Sequence, residues 1–170
     1  MDGWKVRECL DSMTILVDTR EQPSERARKR YEAFSFPYRR EKLDYGDYSA
    51  SFILDGTEHK IKAAIERKMN LEELSSCFTH DRERFKREFE RAKADGASMY
   101  LLVEDATWHE LINGKYKTHY NSKAFIASFI AWVTRYDIKP FLCKKEVSGA
   151  LIQEILFREL KERLERGDFG

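Results

Sequence analysis

The chain has 170 residues, 42% of them hydrophobic and 13% aromatic, which suits one domain with its own core and excludes a disordered polar segment. Basic and acidic residues number 31 and 30, for a formal charge of +1. That balance excludes a bulk polycation that grips nucleic acid by net charge, so any such contact must come from local patches.

The first buried-strand signal is Thr14-Ile15-Leu16-Val17, which ends in Asp18-Thr19-Arg20-Glu21. Ser24 to Phe34 reads as a short basic helix carrying Arg26, Arg28, Lys29 and Arg30, and a short strand from Tyr38 to Leu43 follows. Tyr48–Leu54 and His59–Lys68 read as two strands joined at Asp55-Gly56, a strong hairpin signal. Asn70 with Glu73 makes a capping-box pattern that opens a helix, and Thr79–Asp95 makes a second helix that Gly96 stops. In the latter, Phe78, Phe85, Phe89 and Ala92 share one face. Ser98–Val103 is a buried strand, and Thr107 with Glu110 caps a short helix. Ser122–Tyr136 is a long helix whose stripe of Phe125, Phe129, Trp132 and Tyr136 fits a core by its periodicity. Lys139–Cys143 is a last strand and Ser148–Arg166 a last helix. Strands alternating with helices predict an α/β domain with a hairpin inside it and helices on both faces.

The chemistry-bearing stretch is Leu43-Asp44-Tyr45-Gly46-Asp47 with Ile65-Glu66-Arg67-Lys68 beyond the hairpin turn. A two-residue turn at Asp55-Gly56 pairs Leu54 with Thr57 and sets Asp47 opposite Ala64. Asp47, Glu66 and Lys68 then share one face, with Asp47 and Glu66 diagonal neighbours, while Arg67 points away. Two carboxylates and one ammonium on a face suit a hard divalent cation, which can polarise a phosphate oxygen and activate a bound water. Asp18 and Glu21 end another strand that can approach the same pocket. Taken alone, the pattern is also that of an exposed hairpin with mixed charges.

Gly46-Asp47, then Glu66-Arg67-Lys68 with Glu72 beyond, resembles the GD…ERKxxxD signature of the XPF-type structure-specific endonucleases, in the PD-(D/E)XK superfamily. Val17-Asp18-Thr19-Arg20-Glu21 resembles that family's strand ending in D-x-R-E, and ERKMNLEELSSCF resembles the text after its ERK. The resemblance implies a restriction-endonuclease-like mixed central sheet flanked by helices on both faces. It implies Mg²⁺ or Mn²⁺ dependence and hydrolysis of DNA phosphodiester bonds at branches, flaps or forks. By position, Asp47 and Glu66 are the metal ligands, Lys68 the catalytic lysine, and Arg67, Asp18 and Glu21 further active-site residues. Arg20 and Glu72 take supporting roles. Glu72 departs from the pattern, which has Asp there.

Candidate DNA contacts are Arg26, Lys29 and Arg30, the pair Ser75 and Ser76, and Arg82 and Lys86 with Arg84 and Arg87 beside them. The resemblance also implies pairing of two copies through C-terminal helices. No helix-hairpin-helix pattern follows the nuclease-like segment, so the expectation is a single stand-alone nuclease domain over 1–170. The rival reading is a non-catalytic DNA-binding or partner subunit, which the intact Asp47, Glu66 and Lys68 set disfavours. Cys9, Cys77 and Cys143 lack paired metal-ligand spacing and read as reduced thiols. The N-terminus carries no signal-peptide core, and the longest nearly apolar run is about half the ~20 residues a membrane span needs. These features predict a soluble intracellular protein, cytoplasmic in a bacterium, archaeon or phage-infected host.

Overall fold

Short apolar runs become strands of one mixed seven-stranded sheet, and amphipathic runs become the helices that cover it. The computed structural model describes residues 1–169. In chain order the elements are α1 (Gly3–Asp11), β1 (Thr14–Val17), α2 (Glu25–Glu32), β2 (Tyr38–Arg40), β3 (Tyr48–Leu54), β4 (Thr57–Lys60) and β5 (Ala63–Lys68). They continue with α3 (Leu71–Cys77), α4 (Arg82–Ala94), β6 (Ser98–Glu104), α5 (Trp108–Ile112), α6 (Ser122–Tyr136), β7 (Lys139–Cys143) and α7 (Ser148–Arg166). The strand order is β2-β1-β3-β5-β6-β7, with β4 added to β3. No helix among the described residues is long and apolar enough to cross a membrane.

Alternation along the strands sorts the core into two layers. Ile15, Val17, Tyr48, Ile65 and Leu102 face α1 and α7, where Ile152, Leu156, Leu160 and Leu164 meet them. Ala64, Met99, Leu101 and Val103 face the other way, against Phe85 and Phe89 of α4 and Phe125, Phe129 and Trp132 of α6. The aromatic stripe of α6 is therefore core: Trp132 lies across Phe85 with ring centroids 5.3 Å apart.

Four elements differ from the sequence reading. Residues 3–11 form a helix, capped by the Asp2 carboxylate on the Lys5 N–H, with Val6, Cys9 and Leu10 turned inward. Strand β2 stops at Arg40, because the chain then leaves β1 and the Leu43 N–H donates to the Asp18 carboxylate. Helix α4 begins at Arg82, since Thr79 to Asp81 fold back onto the end of α3 through the Ser76 carbonyl. The second hairpin strand breaks in two, β4 pairing with β3 from Leu54↔Thr57 to Ser51↔Lys60 and β5 pairing at Tyr48↔Ile65.

Strands β1, β2, β5, β6 and β7 run in one direction and β3 in the other. Their carboxyl ends, with the start of β3, meet at a single rim, where ligands of open α/β sheets bind. Helix α2 is pinned near that rim by its close approach to α7. A Cβ at Gly149 would lie 2.5 Å from the Arg30 carbonyl oxygen and 2.9 Å from the Ala33 Cβ, so the two backbones touch. Gly149→Ala is expected to force them apart at a cost of about 1–3 kcal/mol. Thermal melts of the two proteins check this; coincident melts would mean the contact does not lock the helices.

Candidate active site

The slip between β4 and β5 builds the centre of the site. Four residues of chain from Ile61 to Ile65 are matched by two, from Ala50 to Tyr48, on β3. A slip of two keeps side-chain parity, so Glu66 and Lys68 stay on the face expected for them. It also carries Asp47 from opposite Ala64 to the level of Glu66. The Asp47 N–H donates to the Ile65 carbonyl at 2.8 Å, and the Arg67 N–H donates to Asp47 Oδ2 at 2.8 Å, bracketing Glu66. Gly46 supplies the bend before Asp47: its φ is +74°, and a Cβ there would lie 2.7 Å from the Ala64 Cβ.

Asp47, Glu66 and Lys68 line one cleft of about 290 Å³ beneath α4. Lys68 Nζ donates to Glu66 Oε1 at 2.6 Å and lies 5.4 Å from the centre of the Phe85 ring. Burial pushes the Asp47 carboxyl up to about 7, against the pull of Lys68 and with help from Glu21. Burial and the neighbouring Asp47 hold Glu66 well above the usual carboxylate range. Although burial opposes it, the Glu66 carboxylate holds the Lys68 ammonium in its charged form. One ammonium thus faces two recessed carboxylates, a donor set that fits a hard divalent cation keeping most of its waters. Among the described residues no group of three or more His, Cys, Asp or Glu is arranged to hold a metal. Water and a substrate oxygen would complete the shell.

The opposite face of β5 carries a closed ionic network. Arg67 Nη1 lies 2.5 Å from Glu104 Oε1, and Nη2 lies 3.1 Å from Glu21 Oε1. Arg30 donates to the same Glu21 oxygen at 2.8 Å and to the Tyr48 hydroxyl at 2.9 Å. The Ser148 hydroxyl donates to Glu104 Oε2 at 3.0 Å. Arg67 is therefore across the sheet from Lys68, as its position in the alternation requires.

The remaining expected residues take varied places. Asp18 is fully buried and spent on its neighbours: it accepts the Arg20 N–H at 3.0 Å, the Arg20 Nε at 2.6 Å and the Leu43 N–H at 2.7 Å. Burial opposes it, but these donors hold Asp18 below the usual carboxylate range. Arg20 is thereby fixed through Nε and lines the cleft with Asp47. Glu21 lies with Arg67 rather than with Glu66. Glu72 turns to the Lys117 N–H at 2.9 Å, and it is Glu73 that lines the cleft.

Several expected DNA contacts are engaged elsewhere. Arg30 is 2% exposed and belongs to the buried network, which removes it from the surface. Ser75 and Ser76 donate to the carbonyls of Glu72 and Glu73. Arg82 sits over Trp132, Lys86 pairs with Glu90, and Arg28 is tied to Glu25 and Glu32. Arg26 reaches Glu104, Asp105 and the Met69 carbonyl. Lys29 keeps an exposed position beside Arg26. Three cleft residues had no mark in the sequence reading, Asp81, Glu88 and Arg91, all among charges of α4 and its start. Cys77, read there only as a reduced thiol, also lines the cleft, its thiol pushed up to about 12 by burial.

The raised Asp47 carboxyl has a measurable consequence without metal. A group at 3.8 in the unfolded chain and about 7 in the fold binds more protons when folded, so its contribution to stability is lost as pH rises through about 7. Asp47→Asn, which keeps an acceptor for the Arg67 N–H, is expected to melt above the wild type at pH 8 in EDTA and no higher at pH 4. A constant offset across that range would contradict the burial of this charge.

The ERCC4 domain family model matches residues 17–154. A search of curated protein sequences finds no match. Among solved structures, XPF from Aeropyrum pernix aligns with a TM-score of 0.61 at 17% identity, covering 91% of this chain and 69% of that one. XPF from Aeropyrum pernix in complex with DNA aligns with a TM-score of 0.59 at 20% identity, covering 89% of this chain and 66% of that one. These likenesses show the restriction-endonuclease-like fold. With most of its length under one family model, the chain belongs to the ERCC4 domain family.

Proposed function

We propose that this protein is a metal-dependent DNA endonuclease that cuts phosphodiester bonds at flaps, forks or other branches. The observation that carries the reading is the Asp47–Glu66 pair at one level of the sheet with Lys68 Nζ 2.6 Å from Glu66. Family membership supports it, as does the DNA held by the structurally similar Aeropyrum pernix XPF. Asp47 and Glu66 would hold Mg²⁺ or Mn²⁺. When bound, the ion supplies polarisation of the scissile phosphate and a more acidic water. Lys68, already charged and held beside Glu66, donates toward the oxygen on which charge develops during attack. Arg20, with its Nε fixed by the buried Asp18, turns its Nη donors to a phosphate oxygen in the same cleft. Glu66, whose proton affinity burial raises, is the acceptor for the proton of the attacking water, taken directly and not through the Lys68 ammonium.

Cavities run from this cleft over the rim. A second hollow of about 390 Å³ shares Arg20, Asp47 and Lys68 with the cleft and extends to Arg26. A third, of about 420 Å³, shares Arg26 and continues between α2 and α7 to Lys29 and Lys145, with Glu25 and Glu146 at its edge. This continuity supports a backbone path in which Lys29 and Lys145 contact phosphates beyond the one being cut.

Labelled duplex, flap, fork and four-way DNAs are expected to be cut with Mg²⁺ or Mn²⁺ and left intact in EDTA. Lys68→Ala should slow single-turnover cleavage by ~10²–10³ while DNA binding falls only slightly. A Lys68→Ala protein that cuts at the wild-type rate, or a wild type that binds every substrate and cuts none, would favour the partner-subunit reading instead. For the path, Lys29→Gln with Lys145→Gln should reduce the slope of log K against log salt by roughly 2. Lys5→Gln with Lys161→Gln, far from the rim, should leave it unchanged. Equal slopes in both double variants would remove Lys29 and Lys145 from the interface.

A further inference from the structure

The segment that delivers Asp47 has no regular structure of its own: residues 41–47 belong to neither helix nor strand. Its shape comes from outside: β1 and Asp18 hold Glu41 and Leu43, Ile65, Asp18 and Arg67 hold Asp47 itself, and α4 holds the three residues between. Arg91 Nε donates to the Asp44 carbonyl at 3.2 Å. The Tyr45 hydroxyl donates to Asp95 Oδ2 at 2.6 Å. The Gly46 N–H donates to Glu88 Oε1 at 2.6 Å. Glu88, Arg91 and Asp95 stand three and four residues apart, so they form one polar stripe along the helix. The apolar stripe of Phe85, Phe89 and Ala92 seats the same helix in the core. Helix α4 is thus a rigid body that grips three consecutive residues just ahead of the aspartate.

Glu88 is the tie nearest the chemistry, for its partner is the residue next to Asp47. The tie also falls where the backbone has least freedom, since Gly46 is left-handed and packed against Ala64 and Ile65. The tie is long-range, Glu88 being 42 residues away in sequence, and it acts on the residue before Asp47, whose own backbone is bonded to Ile65 and Asp18. Releasing the Gly46 N–H would leave the turn held on its α4 side only by the outer ties at Asp44 and Tyr45.

We propose that Glu88 is the positioning residue for Asp47, holding the Gly46–Asp47 turn through its carboxylate oxygen so that the aspartate stays level with Glu66. The inference rests on the nuclease reading above. Glu88 also lines the cleft, where its charge offers a competing role, and two variants separate the roles. Glu88→Gln keeps the side-chain length and an oxygen that accepts from Gly46 while it removes the charge. Glu88→Asp keeps the charge but falls one methylene short of the Gly46 N–H.

The experiment measures Mn²⁺ affinity by calorimetry and single-turnover cleavage of a flap DNA for the full chain and both variants, with thermal melts alongside. Positioning predicts that Glu88→Gln stays within about threefold of wild type on both readouts. Glu88→Asp should bind Mn²⁺ about tenfold more weakly and cut ten- to a hundredfold more slowly, since a displacement of about 1 Å at a reacting group costs ~10²-fold. Its melting temperature should stay close to that of wild type. The reverse order, with Glu88→Asp near wild type and Glu88→Gln impaired, overturns the proposal in favour of a charge role, and two variants indistinguishable from wild type overturn it outright. If the wild type cuts no DNA, the nuclease reading fails while Mn²⁺ affinity still ranks the variants. A wild type that neither cuts DNA nor binds Mn²⁺ overturns both.

Discussion

The ionic network behind β5 is the interaction on which the rest of the arrangement depends. Arg67 from β5, Glu104 from the end of β6, Glu21 from the loop after β1 and Arg30 from α2 form its buried centre, and Arg26 of α2 joins at Glu104, 3.5 Å away. Glu104 and Arg30 are 0% and 2% exposed, so each charge there needs its partners. Removing one member of a buried set costs about 3–5 kcal/mol, because the others are left uncompensated. The network therefore fixes the relative placement of four elements at the rim. Through Ser148 it also takes in the start of α7.

Its balance makes the imbalance on the other face tolerable. Successive residues of β5 point to opposite sides of the sheet, so Arg67 enters the closed network while Glu66 and Lys68 enter the open cleft. The closed side is largely self-compensating, although its Glu21 still helps raise the Asp47 carboxyl. The open side keeps two carboxylates against one ammonium, and burial makes that excess costly enough to lift Asp47 to about 7. A cation entering the cleft relieves a repulsion already present in the fold, a different situation from assembling ligands around an ion. Strain of this kind persists only where surrounding structure over-determines it. Here the surroundings are the β3–β5 pairing on one side and α4 on the other.

This division explains what could be read from the sequence. The Asp47, Glu66 and Lys68 face followed from strand parity, and parity survived the slip at Ile61–Lys62 because the slip was even. The slip itself has no turn residue to announce it, which is why a diagonal pairing was expected. Helices α6 and α7 have the bounds that periodicity gave them, since each buries a full stripe, and the short strand β7 keeps its bounds while half-buried at the sheet edge. Helix α1 was missed although Asp2 and the spacing of Val6, Cys9 and Leu10 carried the signal, because alternating charges masked it. Arg30 and Glu88 failed for a deeper reason. Each lies in a run of charges that reads locally as a solvated face, and each is claimed by a distant partner: Glu21 and Tyr48 for the first, Gly46 for the second. Long-range polar ties leave no periodic trace.

A formal charge of +1 then ceases to be an argument against a polyanionic substrate. Away from the rim, some surface cations are spent in local pairs, such as Lys5 with Asp55, Arg158 with Glu154 and Arg39 with Glu58. At the rim, Arg20 is held by Nε alone, and Lys29 and Lys145 line the hollow that Arg26 connects to the cleft. The potential a phosphate backbone meets depends on which charges are left unpaired and where, and much less on the total. Lys29, Lys145 and the Nη donors of Arg20 let a nearly neutral chain present positive charge beside an acidic cleft. Under the proposed nuclease reading, that juxtaposition would draw a phosphate backbone to the rim and leave the carboxylates to a divalent cation.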